Sequence, residues 1–342
     1  MESEKIPSDK FKIVGANAED FDKISRSSLT FWKDARIRLF KNKGAIAGLI
    51  IATILISLAI VAPFLSPYTY HEQDLSRANL PPKIPVLEKV SWLGFDGKMK
   101  DVKGSDEQVD YYAEKNITEY FYFGTDEFGR DVWTRVWMGA RVSLGIGLFA
   151  ALIELIIGVI YGSISGFFGG RTDLIMQRIV EVMYGIPYLV VVMLIVVMLD
   201  RSFWTLILAM VITGWIGMSR IVRAQFLKLK EQEFILAAKS LGSSNFRSIT
   251  KHLLPNALGP ITIALMFTIP AAIFTEAFLS FIGLGIPAPQ ASLGSLVNSG
   301  LGYMEIFPYR LIIPAVVVSL LILSFNLITD GLRDALDPKM RK

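Results

Sequence analysis

Side chains able to do chemistry are few in this chain, and they sit in unusual surroundings. Glu154 and Glu276 fall inside long apolar runs, and Glu181 opens another. A carboxylate in a hydrocarbon layer is costly, so each should face other helices or water. There it would serve a substrate pathway, a subunit contact or an interhelical hydrogen bond. Arg130 and Arg141 stand just before an apolar run begins. They suit contact with a binding partner or an anionic group, or they mark the membrane edge. There are two histidines, His71 and His252, far apart, and no cysteine. Disulfides, thiolate catalysis and Cys-based metal sites are excluded, and two lone histidines do not make a structural metal site. No Ser/His/Asp constellation or metal cluster converges, so nothing supports a membrane enzyme.

Nucleotide chemistry in the P-loop manner is excluded as well. The phosphate-cradling pattern Gly-x-x-x-x-Gly-Lys-Ser/Thr does not occur; Gly97-Lys98 is followed by Met99. If ATP drives this protein, another subunit must supply the site.

The elements that position these residues are membrane spans. The chain has 342 residues, 52% of them hydrophobic, with a mean hydropathy of +0.47 and only 19% charged. A soluble chain would carry about 25% charged residues, and here the charges leave long stretches empty. Six runs reach the roughly 17–25 residues that a span needs: about 44–65, 142–164, 179–199, 203–221, 257–282 and 311–327. Some 43 residues precede the first, too many for a cleaved secretory peptide, so it reads as an uncleaved signal anchor. Gly158, Gly162, Gly185, Pro187, Gly214, Gly217, Pro260 and Pro270 lie in these runs. Small residues let helices approach closely, and prolines are tolerated where neighbours satisfy the freed carbonyls.

Basic residues orient the bundle. With the N-terminus inside, 23 of the 35 Lys and Arg fall in cytoplasmic segments. Ten of the remainder lie in one long outer loop, 66–141, whose length lets it cross regardless of charge. Both termini are expected to be cytoplasmic. Residues 23–43 combine Trp32, Ile37, Leu39 and Phe40 with five basic residues from Lys33 to Lys43, as in a helix lying among anionic headgroups or an ordinary positive-inside stop. The outer loop, with a Pro-rich start at 80–85, is expected to fold into a small lobe.

One hydrophilic segment, between the fourth and fifth spans, is organised. Phe234, Ala238 and Leu241 recur at helical spacing, as do Phe246, Ile249 and Leu253. Gly242 ends the first short helix, Ser243, Ser244 or Asn245 caps the second, and Pro255 closes it. Small residues at Ala237 and Ala238 allow such a helix to sit deep in another protein's groove. A DNA-binding helix-turn-helix is a poor fit, because both ends are tethered to spans; no nucleic-acid partner is expected.

Ala237-Ala238, then Gly242, then Leu254-Pro255 resembles the cytoplasmic signature of permease subunits in ABC-type importers. Leu236 replaces that signature's Glu and His252 its Ile. Phe123-Gly-Thr-Asp-Glu-Phe-Gly-Arg-Asp131, Gly139-Ala-Arg-Val-Ser-Leu-Gly145, Thr275-Glu-Ala-Phe-Leu-Ser-Phe-Ile-Gly-Leu-Gly285 and Asp334-Ala-Leu-Asp-Pro338 resemble the second permease of the oligopeptide and dipeptide branch. Ala291-Ser-Leu-Gly294 stands where that branch often has Pro-Ser-Trp-Gly. The likeness covers roughly 28–75 and 120–340, and the long outer insertion resembles that of Gram-positive oligopeptide permeases.

The resemblance implies an all-α membrane protein with the type I ABC importer permease fold, an extracytoplasmic insertion and no catalysis of its own. Its divisions would be a cytoplasmic segment 1–43, a first span 44–65, an outer lobe 66–141, a core 142–330 containing an ATPase-docking loop 224–256, and a tail 331–342. Ala237, Ala238, Leu241, Gly242, Leu254 and Pro255 would form the docking element; Arg141, Glu154 and Glu276 are candidates for the pathway or a subunit contact. Implied partners are a second homologous permease, two ABC ATPase subunits that hold ATP and Mg, an extracytoplasmic peptide-binding protein and the bilayer of a bacterial cell membrane. The cargo would be oligopeptides, or else dipeptides, nickel chelates or another small solute. An ion-coupled secondary transporter is the competing class, using Glu154 and Glu276. The chain shows no repeat between its halves, and that class leaves the organised segment without a purpose.

Overall fold

The computed structural model describes residues 31–85, 87–89, 94–100 and 108–336. A short helix α1 (Phe31–Leu39) leads into α2 (Lys43–Leu65), whose first turn is capped by the Asn42 side chain accepting from the Ala45 N–H. The side chains of Phe31 and Trp32, the segment before them and the tail from 337 onward lie outside the described residues. Next come the strand pair β1 (Lys98–Lys100) and β2 (Gln108–Asp110), antiparallel with Met99 opposite Val109, and the one-turn helix α3 (Tyr111–Glu114). With the buried Leu80, Tyr112 and Phe121 they make a small lobe.

Helix α4 (Val132–Phe168) starts ten residues before the expected span, because Asp131 accepts from the Trp133 and Thr134 N–H groups and nucleates it there. Its 37 residues extend about 55 Å, well beyond a hydrocarbon core of about 30 Å. The expected lobe boundary at 141 therefore falls inside a helix.

The third span is not one helix. It is divided into α5 (Gly170–Tyr184) and α6 (Tyr188–Leu199), bent by 78°. Gly185-Ile186-Pro187 sits at the break. Pro187 has no N–H to donate and disfavours helical backbone at the residue before it, so the ladder cannot run through.

Helix α7 (Phe203–Leu229) packs along α4. A Cβ at Gly158 would press on Met218, one at Gly162 would overlap the Ser219 carbonyl, and one at Gly166 would press on Phe226 and Arg223. The two backbones thus meet along a stripe of glycines spaced by four. After α8 (Glu233–Ser240) the chain enters α9, which runs from Asn245 to Phe281 with a π-helical stretch at Ser248–Leu253. A short α10 (Leu293–Leu301) and a final α11 (Tyr309–Leu336) complete the bundle.

Five helices are long and apolar enough to span, and the bent pair makes a sixth. Side-to-side placement follows from contacts. Asn42 donates to Asp334 at 3.2 Å, joining the start of α2 to the end of α11. Tyr309 donates to the Thr125 carbonyl at 2.7 Å, joining the lobe to the start of α11. The lobe therefore lies on one side of the bundle, and α1, α8 and the end of α11 on the other.

Candidate functional site

The segment between the fourth and fifth spans folds into a bracket on the side away from the lobe. α8 ends in a Schellman turn: Ser243 N–H donates to the Ala238 carbonyl and Gly242 N–H to that of Lys239. The turn needs a left-handed residue, and Gly242 supplies it with φ of +82°. Ser244 then caps the next helix, its hydroxyl accepting from the Arg247 N–H at 3.3 Å.

Pro255 does not close that helix, contrary to expectation. α9 continues through it into the fifth span. The Leu254 N–H reaches back five residues to the Ile249 carbonyl, so the ladder is already in the wider register where the proline's donor is missing. The Asn256 amide donates to the His252 carbonyl at 2.7 Å. The second short helix is therefore continuous with the membrane span and moves with it.

The buried face also differs from the expected one. Ile235 is fully buried, whereas Phe234, Leu241 and Phe246 are 43%, 88% and 77% exposed. Phe234, Ala238 and Leu241 do share a face, but it points outward. Phe246 and Leu253 part company, because the π-turn rotates Leu253 inward to full burial. Ala237 is exposed and Ala238 half-buried, Leu254 is half-buried and Pro255 exposed.

Ile235 sits in one cluster with Phe167 at the end of α4, Val222 and Phe226 near the end of α7, and Leu253 and Ala257 of α9. The Lys239 ammonium lies 5.1 Å from the centre of the Phe167 ring. A displacement of α8 is thus felt by three spans. The adjoining polar cluster has no counterpart among the expected site residues. Arg223 makes two 2.6 Å bonds to the carboxylate of Asp173, and Lys230 donates to the Gly166 carbonyl at 3.0 Å. The pairing of residues fifty apart in sequence has no periodic signal.

The other predicted residues separate. Arg141 donates from Nε to the Ala59 carbonyl at 3.1 Å and from Nη2 to that of Ile60 at 3.0 Å, clamping α4 to α2. Arg130 is buried against Asp126 at 2.7 Å, with Arg135 3.5 Å from the same carboxylate. Arg310 pairs with Glu127 beside them. The Phe123–Asp131 motif is therefore a rivet between lobe, α4 and α11, and a Cβ at Gly129 would overlap the Asp74 carbonyl. Burial holds the Asp131 carboxyl above the ordinary carboxylate value, against bonds from Thr134 and Ser66. Glu181 turns away from its own bundle and pairs with Arg178 at 2.8 Å on the surface. Glu276 is fully buried, accepts from the Ser280 hydroxyl at 2.7 Å, and leaves its second oxygen unpartnered. Glu154, also buried, lines a cavity of about 160 Å³ between α4, α6, α7 and α9.

A lobed six-span bundle carrying a packed helical bracket on its opposite face is the architecture of a transporter's membrane component. Comparison with known proteins agrees. Residues 158–342 match the family described as binding-protein-dependent transport system inner membrane component, and residues 30–82 match the N-terminal TM domain of oligopeptide transport permease C. The oligopeptide transport system permease protein OppC of Bacillus subtilis is 45% identical over 99% of this chain and 100% of its own length. The dipeptide transport system permease protein DppC of the same organism is 44% identical, covering 99% and 95%. The fold resembles that of the MetNI methionine ABC transporter in its inward-facing form, with a TM-score of 0.50 at 17% identity over 59% of this chain and 96% of that one. The chain belongs to the oligopeptide and dipeptide permease family of ABC-type importers, as a transmembrane permease subunit with the type I fold.

Proposed function

We propose that this chain forms half of an alternating-access pathway for oligopeptides, facing a second homologous permease. Two separate ABC ATPase subunits hold ATP and Mg and perform the hydrolysis, and an extracytoplasmic peptide-binding protein delivers cargo to the lobe side. The protein lies in the cytoplasmic membrane of a bacterium with both termini and the bracket inside. α1 rests in the inner headgroup layer, 66–141 lies outside, and 142–330 forms the core with docking loop 224–256.

The observation that carries this reading is the two-faced bracket. Its outer face offers Leu241, Phe246 and Phe234 to a partner, while Ile235 on its inner face is locked into the cluster shared by α4, α7 and α9. Exposed apolar residues of this size on a polar surface mark an interaction site. Ala237 and Ala238 allow close approach, Gly242 makes the turn that sets α8 against α9, and Leu254 and Pro255 carry the motion along α9 into the fifth span. Closure of the ATPases would push α8, and the spans attached to it would follow as rigid bodies.

Co-purification tests this. ATPase subunits should be retained by the unaltered permease and lost from a Leu241→Ser/Phe246→Ser variant that inserts normally. Retention by that variant would refute the docking assignment. Dipeptides are a second cargo reading, favoured by the near-equal identity to the dipeptide permease.

A further inference from the structure

Glu154 occupies a built site that the coupling mechanism does not use. It lies midway along α4, is 7% exposed, and has no hydrogen-bond partner among the described residues. Its carboxylate fills the space where α7 has no side chain, since a Cβ on Gly214 would overlap the carboxyl group. The cavity beside it, about 160 Å³, is lined also by Tyr188, Thr268 and Thr275.

The hydrogen-bonding character of the lining selects the ligand. Thr268 Oγ1 donates to the Ala264 carbonyl at 3.0 Å and Thr275 Oγ1 to that of Ala271 at 2.8 Å. Each hydroxyl has one proton, so both present only lone pairs to the cavity. In its ionised form the Glu154 carboxylate likewise only accepts. One anionic and two neutral acceptors converge where just the Tyr188 phenol can donate. An anionic group would find no complement there and a neutral amide or hydroxyl brings only one or two donors, whereas an ammonium group brings three donors and the charge opposite to the carboxylate's.

We propose that this cavity is a subsite for an ammonium group of the cargo, the amino terminus of a peptide in transit. The inference rests on the importer reading and deepens it. The remaining space accommodates the first residue's Cα and a small side chain. Tyr188 opens α6 immediately after the break at Gly185–Pro187, so a ligand held there touches both α4 and the segment that follows the bend.

The test uses the complete purified complex with both permeases and the ATPases, without the binding protein. Equilibrium binding of trialanine is compared with that of N-acetyl-trialanine. The unaltered complex should prefer the free amino terminus by about tenfold or more, the scale of one charge-assisted hydrogen bond. Glu154→Gln should equalise the two peptides, and Thr268→Val/Thr275→Val should reduce the preference with the charge left in place. No preference in the unaltered complex, no binding of trialanine at millimolar concentration, or a preference surviving Glu154→Gln would each overturn the proposal. A cationic side chain of the second permease seated on Glu154 would give the first of these. Should Glu154→Gln fail to assemble, the threonine pair decides alone, and an undiminished preference overturns the proposal. ATPase retention is read on the same preparations. Its loss from the unaltered complex sinks the importer reading, while intact assembly without discrimination sinks this subsite only.

Discussion

Arg141 Nε donates to the carbonyl of Ala59, the oxygen that Pro63 leaves without a partner four residues further along α2. Proline has no N–H, so its helix always frees one such carbonyl, and in a membrane no water is at hand to take it. The same solution recurs in α9. Pro270 frees the carbonyl of Met266, and Thr329 Oγ1 of α11 lies 2.9 Å from it, sharing its proton with Phe325. Pro63 and Pro270 thus mark sites of attachment between helices.

Removing the clamp while leaving the proline should therefore cost more than removing both. Arg141→Ala leaves the Ala59 carbonyl unpaired and should destabilise the permease by about 1–3 kcal/mol. Pro63→Ala restores the internal donor and should recover part of that loss. Thermal melts in detergent of the two single variants and the double variant measure this, and strictly additive effects would contradict the coupling.

Gly242 is required for its backbone and not for lack of space. With φ of +82° and nothing within 4 Å of a Cβ placed there, a substituent meets strain alone. Gly242→Val should cost about 1–2 kcal/mol locally and weaken both ATPase retention and uptake. Gly242→Asn, which tolerates the left-handed region, should be far milder. Equal loss in both variants would point to contact by a partner at this residue instead.

The two faces of α8 should separate stability from assembly. Ile235→Ala removes a fully buried side chain from the cluster of three spans and should lower stability by about 2–5 kcal/mol. Leu241→Ala, at 88% exposure, should leave the melting temperature unchanged while reducing ATPase co-purification. A fall in melting temperature for Leu241→Ala would show that the isolated chain itself uses that side chain.

Glycines in the same bundle should differ sharply. Gly162→Leu forces α4 away from the Ser219 backbone and should abolish stable expression, with Gly162→Ala intermediate. Gly217 has open space around its Cβ position, and Gly217→Ala should be neutral or slightly stabilising. Fluorescence-detected size exclusion of tagged variants reads both outcomes.

Spans and the bracket's approximate limits are legible in the sequence because the signals for them are local. An apolar run long enough to cross lipid, a basic flank, and Gly242 after a helical period each act through neighbours in the chain. The sequence also shows that Pro63 and Pro270 need outside donors, since a missing N–H is a covalent fact. It does not reveal which side chains answer them, because Arg141 and Thr329 come from helices brought close only by folding. The direction of the bracket's faces escapes the sequence for a related reason. A continuous α-period through residues 248–253 would keep Phe246 and Leu253 together, and the π-turn before Pro255 alters the rotation and separates them. Glu154 can be recognised as a costly carboxylate from its apolar surroundings alone. That it faces a cavity rich in acceptors, opposite a residue with no side chain, is decided by the packing of α4, α6, α7 and α9.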